Sequence, residues 1–173
     1  MSPTVPTRQH AVKQEKAARA SLRSPAGDAL SRLVVQVFQL SGLFSALGDA
    51  MARPAGQTSA RWQVLAAIEQ APRSVADIAR ALRLMRQSVQ RIADLLAGEG
   101  LAAYEDNPAH QRAKLLRLRP KGRAALARIQ AAQRDWANAL GAAVGASDLR
   151  AASAVLETVL RAAGGLSRSS RRA

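Results

Sequence analysis

The run Ser74-Val-Ala-Asp-Ile-Ala-Arg-Ala-Leu82, then Arg83-Leu84, then Met85-Arg-Gln-Ser-Val-Gln-Arg-Ile-Ala-Asp-Leu-Leu-Ala-Gly98, decides the fold. In the first segment Val75, Ile78, Ala79 and Leu82 recur at helical steps, with Ser74 as N-cap and Asp77 as its capping-box partner. In the second, predicted over Met85 to Gly98, Val89, Ile92, Leu95 and Leu96 form an apolar side, while Arg86, Gln87, Ser88, Gln90 and Arg91 lie along another. Only Arg83 and Leu84 remain for the turn. Two helices joined so tightly form a helix-turn-helix, whose second helix enters the DNA major groove. Its outward residues suit base edges: Arg offers two donors to guanine O6 and N7, Gln pairs with adenine N6 and N7, and Ser serves either. An ordinary solvated face has the same composition, so the residues downstream decide between the two readings.

Gly98 and Gly100 stop the helix. Two short strands, Leu101 to Glu105 and Lys114 to Arg119, then flank a polar turn, Asp106 to Ala113, that contains Asn107-Pro108. A helix-turn-helix followed by a hairpin with a basic tip is a winged helix. The expected fold is mainly α, with a two-stranded wing.

Residues 57 to 126 resemble the MarR family of bacterial transcriptional regulators. Gln57-Thr58-Ser59-Ala60-Arg61-Trp62-Gln63-Val64-Leu65 is similar to the family's Leu-Thr-Pro-x-Gln-Phe-x-Val-Leu opening, and Arg86-Gln87-Ser88-Val89-Gln90-Arg91-Ile92 to its Arg-Ser-Thr-Val-x-Arg-Leu recognition helix. Gly100-Leu101 matches the Gly-Leu before the wing, and Leu115 to Gly122 resembles the Leu-x-x-Leu-Thr-x-x-Gly ending. Their order and spacing carry the resemblance. Three positions depart from it. The wing has His110-Gln111-Arg112 where the family has Asp-x-Arg, so Arg112 keeps a reaching role without its bracing acid; Asn107-Pro108-Ala109-His110 resembles the wing of one family branch. Arg83 stands where Gly often makes the turn, and Arg119 where Thr caps the next helix, each at about 1 kcal/mol.

The composition fits a polyanionic partner. The 173 residues carry a net charge of +14, and 48% are hydrophobic but only 3% aromatic, which favours closely packed helices. Residues 1–27 and 164–173 are read as basic tails, a flexible N-terminal arm and a C-terminal tail, and together hold +7 of the charge. Arg far outnumbers Lys and Ala is abundant, which points to a GC-rich bacterial genome. With no cysteine and two histidines, thiol sensing and zinc sites are not expected; neither is any cofactor or metal. No uninterrupted apolar run approaches the ~18 residues of a membrane helix, so the expectation is a cytoplasmic protein without a membrane partner.

The rest of the chain, 28–163, is read as one unit in which 57–119 binds DNA and 28–51 with 120–163 dimerise. Asp28 to Met51 carries a stripe of Leu30, Leu33, Val34, Val37, Phe38, Ser41, Phe44 and Leu47. Pro120 to Leu140 sets Leu126, Ile129, Gln133, Trp136 and Leu140 in a heptad-like seam, and a helix from Ser147 turns Leu149, Ala152, Val155, Leu156, Val159 and Leu160 inward. The resemblance implies that these helices form a homodimer. Residues 141–146 form their connector. Simple core packing also accounts for Phe38, Phe44, Trp62 and Trp136.

Together these readings give a homodimeric repressor or regulator on a pseudo-palindromic double-stranded DNA operator. Arg86, Gln87, Ser88, Gln90 and Arg91 would contact bases, Arg112 the minor groove or phosphates, and Lys114 and Thr58 phosphates. The alternative readings for Lys114 and Thr58 are strand edge and helix cap. The resemblance further implies a small-molecule effector, often aromatic, whose binding residues the sequence does not mark. A non-specific structural DNA-binding protein is the rival reading. An enzyme is not expected: no nucleophile-base set, Gly-rich phosphate loop or paired carboxylates is present.

Overall fold

The computed structural model describes residues 23–109 and 113–169. Its elements are α1 (Pro25–Ala52), a 3-10 turn (Arg53–Ala55), α2 (Ser59–Ala67), β1 (Arg73–Ser74), α3 (Val75–Leu82), α4 (Arg86–Gly98), β2 (Ala102–Glu105), β3 (Leu115–Leu118), α5 (Pro120–Val144) and α6 (Ala146–Ser169). The chain divides within α1 into two compact units, Met1–Ala46 and Leu47–Ala173.

The second unit holds the core. Val64, Leu65 and Ile68 of the α2 region, Val75, Ile78 and Ala79 of α3, Val89, Ala93 and Leu96 of α4, and Leu116 and Leu118 of β3 form one buried cluster. The expected inward faces of α3 and α4 are thus present, with one correction: Leu95 is 51% exposed. Ala93, one helical step from Val89 and Leu96, takes the buried position instead.

The sheet is antiparallel and three-stranded, in the order β1-β3-β2, rather than a two-stranded wing alone. Arg73 pairs with Leu116 and Ser74 with Leu115, while Ala102 to Glu105 pair with Leu118 to Leu115. Two residues are too few to show an alternating pattern, so β1 has no signal in the sequence.

Leu126 and Ile129, expected in the dimer seam, are buried within the protomer at 1% and 0% exposure. The first half of α5 packs on α2, and Leu126 joins the core cluster. Farther along α5, Trp136 is half-buried and Leu140 is 37% exposed. α5 runs on to Val144, past the predicted Leu140, and breaks at Gly145 (φ 94°), where the axes of α5 and α6 bend by 98°.

The predicted tails are shorter than read. α1 begins at Pro25, where Pro suits a first helical position and Ser24 caps the turn by accepting from the Gly27 N–H at 3.1 Å. α6 continues through Gly164 and Gly165 to Ser169, since isolated small residues only weaken a helix.

The first unit's part of α1 exposes Leu30, Val34, Val35, Val37, Phe38, Leu40, Leu43 and Phe44. Averaged over an 18-residue window, Pro25–Ala55 reaches a mean hydropathy of 1.4, long and apolar enough to cross a bilayer. That corrects the reading from uninterrupted runs: Gln36, Gln39 and Ser41 interrupt the run without lowering the average enough. Val35, Leu40 and Leu43 extend the apolar surface beyond the predicted stripe.

Candidate nucleic-acid interface

Two helix starts and one tight turn set the geometry. Ser74 Oγ accepts from the Asp77 N–H at 3.2 Å and donates to the Asp77 carboxylate at 2.6 Å, so the predicted capping pair is formed. These bonds, with Arg80 beside it, hold the Asp77 carboxyl below the usual carboxylate range. Arg83 ends α3 in the left-handed conformation, φ 54°, and its N–H reaches back to Arg80 and Ala79 carbonyls. The turn conformation that Gly commonly supplies is therefore forced on Arg.

α4 starts at Arg86 with Met85 as N-cap and no side-chain capping bond. The positive end of its dipole consequently faces solvent. Arg86, Gln87, Ser88 and Arg91 are all exposed. Leu84 and Met85 beside them are 40% and 72% exposed, apolar residues outside the predicted reading face. Arg61, Arg80 and Arg117 pair with Glu99, Asp77 and Glu105 respectively, whereas Arg86, Arg91 and Lys114 form no ion pair among the described residues. Among the described residues, three cations on α4 and the wing are thus without an ion-pair partner.

Arg86 and Lys114 come together at an open cleft of about 270 Å³, lined also by Ser74, Val75, Ala76, Gln90, Tyr104 and Ala113. Arg86, Gln87, Gln90, Arg91 and Asp94 line a second, shallower depression along α4. Four of the five predicted base-reading residues thus share one surface, and Lys114 borders it through Arg86. Arg112 lies outside the described residues. Thr58 is an N-cap, its Oγ1 accepting from the Arg61 N–H at 3.3 Å. At the wing turn, the Ala109 N–H donates to Asn107 Oδ1 at 3.0 Å.

Gln90 differs from its neighbours. It is half-buried, and Nε2 donates to Asp94 Oδ1 at 2.9 Å and to the Tyr104 hydroxyl at 2.8 Å. Tyr104, on β2, donates to the same Asp94 oxygen at 2.7 Å. Burial, then the Asp94 carboxylate, pushes the Tyr104 hydroxyl up to about 12, so it stays protonated at neutral pH. This bonded triad ties the recognition helix to the wing. Gln90 and Asp94 are one helical turn apart, but Tyr104 lies fourteen and ten positions from them, a separation that leaves no periodic mark in the sequence.

The base of the wing depends on Gly122. Its α-carbon approaches the Leu101 carbonyl so closely that an added Cβ would lie 2.1 Å from the oxygen. The same carbonyl accepts from the Arg119 N–H at 3.0 Å, and Arg119 begins α5 without a side-chain cap, as its identity predicts.

The sequence pattern of the MarR family matches residues 55–113. An uncharacterized protein of Mycobacterium tuberculosis is 41% identical over 102 residues, 59% of this chain and 71% of that protein. Among solved structures, a MarR family transcription regulator aligns with a TM-score of 0.72 at 22% identity, covering 82% of this chain and 94% of that one. MarR of E. coli in complex with operator DNA aligns at 0.66 and 24% identity, covering 76% and 94%. The transcriptional repressor CouR, bound to a 23-mer DNA duplex, aligns at 0.63 and 27% identity, covering 80% and 99%.

Proposed function

Because this chain belongs to the MarR family of DNA-binding transcription regulators, we propose that it acts as a homodimeric repressor on a two-fold symmetric operator. The observation that carries the reading is the exposed face of α4, where Arg86 and Arg91 stand without ion-pair partners among the described residues, beside Gln87 and Ser88. Two copies of α4 would enter successive major grooves, about 34 Å apart. Lys114 and the wing's Arg112 would hold the flanking backbone, Arg112 in or beside the minor groove. Solved complexes of MarR and of the repressor CouR with DNA support this mode of binding.

Dimerisation would cover the apolar surface each unit leaves open. Leu33, Val37 and Phe44 contribute in the first; Trp136, Leu140, Val155, Leu156 and Val159 contribute in the second. Val37, Phe44, Leu140, Val155 and Leu156 are between 37% and 55% exposed. A second copy, rather than lipid, is the proposed cover for the apolar face of α1, in a cytoplasmic protein. A small-molecule effector would act by changing the distance between the two copies of α4. For such a ligand, Gln57, Lys121 and Arg128 border a cleft of about 510 Å³.

The test is selection of bound sequences from a random DNA pool by the full chain at moderate salt, with its mass in solution measured in the same preparation. A dimer that enriches a two-fold motif supports the reading. Tight, steeply salt-dependent binding without enrichment favours a structural DNA-binding protein instead.

A further inference from the structure

We propose that Gln90 reads a base amino group through its carbonyl oxygen alone, because Asp94 and Tyr104 hold its amide in one orientation. The proposal rests on the reading that α4 enters the major groove. A free Gln meets adenine with two bonds, accepting from the N6 amino group and donating to N7. Here both amide hydrogens are engaged, one by Asp94 Oδ1 at 2.9 Å and the other by the Tyr104 hydroxyl at 2.8 Å.

The chemistry of the partners fixes which end of the amide faces them. An ionised carboxylate only accepts, so an amide turned end for end would set two oxygens against each other. Tyr104 gives its own hydrogen to Asp94 Oδ1 at 2.7 Å and therefore accepts from Gln90. What remains of Gln90 is Oε1, which has no partner among the described residues and is not one of their unsatisfied buried polar atoms. Asp94 is exposed beside it. The middle of α4 thus offers acceptors, while Arg86 and Arg91 offer donors. In the major groove, acceptors match the N4 amino group of cytosine or the N6 amino group of adenine, and arginine donors match guanine.

The test uses the full chain and duplexes carrying its selected site. Each adenine in the half-site is replaced by purine, which lacks the amino group, or by 7-deazaadenine, which lacks N7; each cytosine is replaced by 2-pyrimidinone. At one position per half-site, removing the amino group should weaken wild-type binding about tenfold. Removing N7 there should change nothing. Gln90→Leu and Gln90→Met should both become insensitive to the amino group at that position. Tyr104→Phe should broaden the base preference at that position and leave the others intact, which a purely structural contact would not do. A 7-deaza substitution as costly as amino removal would overturn the single-acceptor contact, as would amino dependence unchanged in both Gln90 variants. A wild-type chain that selects no site would instead remove the groove reading on which the proposal stands.

Discussion

Gly122 lies against the carbonyl of Leu101, joining the start of α5 to the residue that leads into β2. Leu101 is fixed from both sides: its N–H donates to Leu96 O at 2.9 Å, and its carbonyl accepts from Arg119. A Cβ on Gly122 would also meet Leu118 Cδ1 at 2.8 Å, but the backbone oxygen of Leu101, held by the Arg119 bond, is the neighbour that cannot turn aside like a side chain. Gly122→Ala should destabilise the fold by about 1–3 kcal/mol, read as a lower urea midpoint at fixed protein concentration. An unchanged midpoint would show that α5 can shift its first turn freely.

Arg83 carries the only positive φ among the described non-glycine residues. Replacing it with Gly relieves a left-handed conformation but adds freedom to the unfolded chain. The expected net result for Arg83→Gly is a gain of roughly 0.5–1 kcal/mol, and Arg83→Val should lose stability. Urea unfolding of the two variants side by side checks the order.

Ser74 both caps α3 and pairs with Leu115 across the sheet. Ser74→Ala should cost about 0.5–2 kcal/mol by equilibrium unfolding at neutral pH. Asp77, the other half of the pair, has a lowered pKa, so its contribution is complete above the ordinary value of 3.8 and is lost as pH falls through the lower, folded value. The penalty of Ser74→Ala should therefore shrink in acid. A penalty that stays constant down to the unfolding pH would separate Ser74 from Asp77.

Tyr104 is the only tyrosine in the chain, so tyrosinate absorbance reports it alone. Its ionisation should be centred near 12 rather than at the ordinary 10, and Asp94→Asn should bring it down. Since the folded value is raised, the stability linked to this group is fully present below pH 10 and is lost as pH rises from 10 towards 12. A wild-type midpoint at 10 would dissolve the bonded triad.

The parts legible in the sequence are those set by near neighbours. Val75, Ile78 and Ala79 lie within two turns, and Ser74 caps three residues ahead, so spacing alone locates α3. Leu126 and Ile129 show the limit: their seven-residue rhythm is the same whether the helix faces a second copy or its own α2, and only the tertiary packing distinguishes them. Leu95 fails for a related reason, since Ala93 is small enough to look neutral in a pattern yet fills the buried position. Asp94 lies one turn from Gln90 on α4, but Tyr104 reaches both from β2, so the full restraint on a predicted base-reading residue becomes visible only in three dimensions.

If the exposed face of α4 reads bases, Arg86 is the residue whose loss should show it. Once the wild-type chain has selected its motif, the same selection should be run with Arg86→Ala at the same salt. The expected result is an affinity loss of about 1–3 kcal/mol and collapse of preference at one position in each half-site, with the remaining positions unchanged. An equal loss on every duplex with the motif intact would place Arg86 on the phosphate backbone rather than on a base edge.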